Sequence, residues 1–66
     1  MKARELRELS TEELEQKVAE LRQELFNLKM QHSTGQLENP MRLKQLRRDI
    51  ARILTVLRER ELAQAS

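Results

Sequence analysis

The chain has no cysteine, and among its 66 residues there is one phenylalanine as the only aromatic, one glycine, one proline and one histidine. Each scarcity removes a class of chemistry. Without cysteine there are no disulfides, thiolate nucleophiles or cysteine-ligated metals, and a reduced intracellular setting is expected. The lone glycine, Gly35, cannot build a glycine-rich phosphate loop. The lone histidine, His32, has no cysteine or carboxylate cluster at metal-ligand spacing, so it reads as a solvated side chain near a helix end. No catalytic constellation, metal set or cofactor motif is present in the sequence. No apolar run reaches membrane-spanning length, and the amino end, Met1 to Leu6, is positively charged without the hydrophobic stretch of a secretory signal. The sequence is therefore expected to be complete, mature and cytosolic.

What the chain does have is charge and leucine. Charged residues make up 36% of it, yet the formal net charge is only +2, so the distribution says more than the total. From Ser10 to Lys29 five acids face three bases, a local −2, whereas from Met41 to Arg60 seven bases face two acids, a local +5. Apolar residues recur at alternating intervals of three and four in both halves: Leu14, Val18, Leu21, Leu25 and Leu28, then Leu43, Leu46, Ile50, Ile53 and Leu57. Each set marks one side of a helix.

The punctuation between the two seams is specific. Ser10 and Glu13 form a capping box, with Leu9 and Leu14 placed as its hydrophobic staple. Gly35 supplies the left-handed conformation that commonly closes a helix, and Asn39-Pro40 is a restart, because Asn caps free amides and proline suits the first helical position. The expected fold is all-α: one domain over residues 1–66, with a short N-terminal helical turn that is open to fraying, a helix over about 10–34, a loop over about 35–39 and a helix over about 40–62. A joint of a few residues favours antiparallel neighbours, hence a helical hairpin. Intermolecular zipping of the same heptads is the competing arrangement. A chain of this length has a marginal core of its own, so the flanking Leu54, Val56 and Leu62 are read as available to a third surface.

Beside its seam, between Met41 and Arg60, the second helix carries Arg42, Lys44, Arg47, Arg48, Arg52, Arg58 and Arg60, opposed there only by Asp49 and Glu59. A solvated coiled-coil exterior normally alternates sign; this excess calls for an external anion. At about 100° per residue, Lys44, Arg47, Arg48 and Arg58 share one flank with the small Ala51 and Thr55, so a phosphate backbone can approach closely there. Arg42 and Arg60 project from the other flank and Arg52 from the back. With Phe26 as the only stacking group, structured RNA held through phosphates fits better than single-strand reading. Phe26 points away from the first seam, near Met30, and reads as a docking contact with RNA or a neighbouring protein. A self-associating coiled-coil adaptor for other proteins, with an incidental basic face, is the alternative from a different class.

The run Asn39-Pro40-Met41-Arg42-Leu43-Lys44-Gln45-Leu46-Arg47-Arg48-Asp49-Ile50-Ala51-Arg52-Ile53 resembles the signature of the large-subunit ribosomal protein twenty-nine family. Leu25-Phe26-Asn27-Leu28, Thr34 to Asn39, and the Leu6 to Leu14 lead are similar to its bacterial pattern, so the resemblance covers nearly the whole chain. It implies a non-enzymatic helical hairpin bound to large-subunit ribosomal RNA in the cytoplasm. It further implies a position near the nascent-chain exit, beside large-subunit protein twenty-three, where targeting and chaperone factors dock. No membrane, cofactor or small-molecule substrate is implied.

Overall fold

In the computed structural model, which describes residues 2–33, 35 and 40–65, three helices account for most of the chain: α1 (Ala3–Arg7), α2 (Thr11–Ser33) and α3 (Pro40–Ala65). No strand occurs among the described residues. At about 1.5 Å per residue, α2 and α3 are roughly 35 and 39 Å long. The molecule measures 47 × 17 × 17 Å, a rod little more than two helices thick.

The boundaries follow from local chemistry. Ser10 Oγ accepts from the Glu13 N–H at 3.1 Å and its carbonyl accepts the Leu14 N–H at 3.0 Å, the hydroxyl arm of the expected capping box followed by the first helical bond. Leu9, the staple residue, packs against the cluster that contains Leu14. At the other end of α2, Ser33 Oγ donates to the Met30 carbonyl at 2.8 Å, and the Gly35 N–H donates to the His32 carbonyl at 3.0 Å. Gly35 has φ +78°, the left-handed closure that a residue with a Cβ adopts only at a cost of roughly 1–2 kcal/mol. Pro40 opens α3, where its missing N–H is not needed. The Asn39 cap, and the loop expected over 35–39 apart from Gly35, lie outside the described residues.

One ion pair and one hydrogen bond fix the direction of α3 against α2. Glu24 meets Arg42 near the joint and Thr11 meets Arg60 near the far end, so the long helices run antiparallel. Between those contacts Leu14 and Val18 of α2 and Leu46, Ile50 and Ile53 of α3 are buried, while Leu21, Leu25, Leu28, Leu43 and Leu57 are half-buried. Both seams are thus spent on each other within one chain.

The structure differs from the sequence reading in three places. α3 runs to Ala65, three residues beyond the expected 62. The expected short N-terminal turn is present as α1, and it is anchored more firmly than a turn open to fraying: Leu6 is 1% exposed, among the most buried side chains described. Val56, read as available to a third surface, is 2% exposed and belongs to the same cluster as Leu6, Ile50 and Ile53. The reason is common to the last two. α1 folds back along α3 and covers a strip beside the heptad seam, so α3 buries a wider arc than α2 alone requires. Leu54 and Leu62 remain exposed, as expected.

A five-residue helix is not stable on its own, so α1 exists because Leu6 is buried. Truncation of Leu6 to Ala is expected to destabilise the protein by about 2–5 kcal/mol, while Leu62→Ala stays within roughly 0.5 kcal/mol. Equilibrium denaturation followed by circular dichroism measures both; equal effects would mean that α1 is not part of the core.

Candidate nucleic-acid interface

The cations of α3 fall into two sets once α1 and α2 are in place. Arg42 donates from Nε and Nη2 to the Glu24 carboxylate of α2, each at 3.0 Å, a two-point pair that remains partly exposed. Arg60 reaches the corner between α1 and α2, donating to Thr11 Oγ1 at 3.1 Å, to the Arg7 carbonyl at 3.3 Å and to the Leu9 carbonyl. Those carbonyls lie where α1 has ended and its own ladder no longer uses them, so the guanidinium serves as a C-terminal cap supplied from another helix. Arg42 and Arg60 are 18 residues apart, about five turns, and therefore occupy one edge of α3.

The acids that sequence reading set against the basic helix are also taken up on that side. Asp49 is 6% exposed and accepts from Gln45 Nε2 at 3.1 Å; it lines an open groove with Glu5 and Leu6 of α1, Lys17 and Glu20 of α2, and Arg42. Glu59 pairs with Arg7 of α1 at 3.3 Å. Neither acid is paired with the other flank of α3. There Lys44, Arg47, Arg48 and Arg58 are exposed, and none has a hydrogen bond or ion pair with a described residue. Thr55, in their midst, turns its hydroxyl back to the Ala51 carbonyl at 2.9 Å, so the surface between the cations is low and presents mainly a methyl group.

The structure therefore brings together four of the seven cations read from sequence. Arg52 is exposed on the back of α3. Arg42 and Arg60 already have partners inside the chain, a commitment with no signal in local sequence because Glu24, Thr11 and the α1 carbonyls are 18 to 53 residues away. Phe26 and Met30, one turn apart on α2, are 59% and 53% exposed, as the sequence implied. No group of His, Asp or Glu among the described residues is placed to hold a metal, and no described helix is long and apolar enough to cross a membrane.

The structure is thus a thin helical hairpin with a basic flank that has no counter-ion among the described residues. The family model described as Ribosomal L29 protein matches residues 4–60. The chain belongs to that family. It is 67% identical over 64 residues to large ribosomal subunit protein uL29 of Moorella thermoacetica, covering 97% of this chain and 96% of that protein. It is 66% identical over 62 residues to the uL29 protein of Natranaerobius thermophilus (94% and 95% covered) and 62% identical over 63 residues to that of Geobacillus stearothermophilus (96% of each). The ribosomal L29 family is structural and not enzymatic.

The two sets of cations are separable by mutation. Arg60→Ala removes the cap at the α1–α2 corner and is expected to lower stability by about 1–3 kcal/mol, whereas Arg58→Ala, two residues away, changes it by no more than roughly 0.5 kcal/mol. Thermal or urea denaturation of the two variants reads the difference directly. Equal stabilities would remove the structural role assigned to Arg60.

Proposed function

We propose that this protein anchors itself to large-subunit ribosomal RNA through the exposed flank of α3, with Lys44, Arg47, Arg48 and Arg58 neutralising phosphates. Membership of the ribosomal L29 family makes it a structural constituent of the large ribosomal subunit, located with the ribosome in the cytoplasm, and no enzyme. The observation that carries the RNA reading is the sorting of charge: Asp49 is turned into the groove and Glu59 toward α1, which leaves four cations on one flank without a counter-ion among the described residues.

Held on a helix whose rotation is fixed by a buried seam, these side chains need little ordering on binding, and each phosphate they neutralise releases condensed counterions. Ala51 and Thr55 leave room for the backbone to come close. Arg52 is proposed as a peripheral contact from the back of the helix. Direct phosphate contact by Arg42 or Arg60 would compete with their bonds inside the chain, so they are assigned a supporting part in this interface. Phe26 and Met30 form an exposed apolar spot on α2, which suits a neighbouring ribosomal component. In keeping with the family resemblance, that neighbour is proposed to be large-subunit protein twenty-three near the nascent-chain exit, a position within reach of targeting or chaperone factors.

The self-association alternative has less to stand on, because both leucine seams are consumed within the hairpin and α1 covers a further strip. Salt titration separates the two readings. Replacing Arg47 and Arg48 together by Glu should leave the circular dichroism spectrum intact, since neither side chain is in the core, while binding to protein-free large-subunit RNA falls sharply. The slope of log affinity against log salt should become shallower by roughly 1.4–1.8 units, two contacts at about 0.7–0.9 each. Glu20→Gln, on the groove side of α2, should keep the wild-type slope. Wild-type affinity and salt dependence in the double variant would reduce the basic flank to a solvated surface.

A further inference from the structure

On α3 the paired Arg42 and Arg60 and the four cations without a partner among the described residues lie on opposite sides of the hairpin, and a related division of charge runs along α2, whose overall charge is acidic. The groove side of α2 carries Glu20, which lines the groove, and Glu24, which holds Arg42. At about 100° per residue, Arg22 and Lys29 fall on the opposite flank of α2, beyond the half-buried Leu25. Seven residues separate them, two turns and about 10 Å along the axis. Both are exposed, and neither is hydrogen-bonded or ion-paired with a described residue.

Because the groove lies on one side of the helix pair, the opposite flank of α2 and the basic flank of α3 border the same open face. The antiparallel register set by the Glu24–Arg42 and Thr11–Arg60 contacts brings Arg22 level with the Lys44–Arg47 turn, and Lys29 level with the start of α3. Packed helices are about 8–10 Å apart, so two rows of cations run side by side with Leu25 and Leu43 flooring the strip between them. Glu15 begins the α2 row seven residues before Arg22, which concentrates the positive charge toward the joint.

We propose that Arg22 and Lys29 are phosphate-binding residues, and that the RNA footprint spans both long helices rather than α3 alone. The inference rests on the reading that the α3 flank binds ribosomal RNA, and adds a second row to it. A single row follows one stretch of backbone. Two rows across an apolar strip grip phosphates converging from two directions, as at the shallow groove of a folded RNA helix, and do so without base stacking. The net charge of α2 conceals this, since its acids sit mostly on other sides of the same helix.

The test uses the full chain and protein-free large-subunit ribosomal RNA, with affinity measured across a potassium chloride series. Arg22→Gln with Lys29→Gln keeps helix propensity and touches no core residue, so circular dichroism should not change. The salt slope should become shallower by roughly 1.4–1.8 units, and affinity at moderate salt should fall at least about tenfold. Lys17→Gln removes a cation from the groove side of the same helix and serves as the control for net charge; it should retain the wild-type slope. If the double variant behaves like Lys17→Gln while the Arg47→Glu, Arg48→Glu variant loses binding, α2 faces solvent and the second row is overturned with the first intact. If the α3 variant also binds as wild type, both readings fall together.

Discussion

The packing of α3 is the constraint on which everything else depends. Its apolar arc, Leu46, Ile50, Ile53 and Val56, is too wide for one neighbouring helix, and it is closed only because α2 covers one part and α1 the other. In a chain of this size no second core exists to compensate. Covering α3 from two adjacent directions also leaves one side of it open, and that side carries the four cations that have no partner among the described residues. The shape of the core thus decides which charges face outward.

Most of the fold was legible in the sequence because it is written in short-range signals. The two heptads, the Ser10 cap, the glycine closure and the proline start each act within a few residues, and each is present in the structure where it falls on described residues. What escaped was non-local. Val56 lies off the heptad, three residues after Ile53 on the side that α1 covers, and a hairpin reading without a packed α1 has nothing to place over it. Leu6 sits in a segment too short to show periodicity, so its burial follows from tertiary contact rather than from pattern. The candidate site was legible as a patch and not as a partition: Arg42 and Arg60 look like their neighbours until Glu24, Thr11 and the α1 carbonyls arrive from elsewhere in the chain.

That partition explains how a protein rich in arginine holds together before it meets an anion. Seven cations on one short helix repel one another, and the groove side relieves part of this by pairing Arg42 with Glu24 and placing Asp49 close by. An exposed ion pair contributes little to stability, commonly under about 1 kcal/mol, so the value of the Arg42 contact lies in geometry more than in energy. It sits near one end of the helix pair while Arg60 sits near the other, both on the same edge of α3.

Two contacts on one edge, five turns apart, resist rotation of α3 about its own axis in a way that a leucine seam alone does not, because apolar side chains of similar size exchange places at small cost. Rotation is the variable that matters for binding. A slip of one residue would turn every side chain of α3 by about 100°, carrying Arg47 and Arg58 away from the open face and bringing core residues toward solvent. Arg42 and Arg60, held inside the chain, therefore determine where the other cations point, and on the proposed reading the structural and the phosphate-binding cations of this helix are parts of one device separated only by angle.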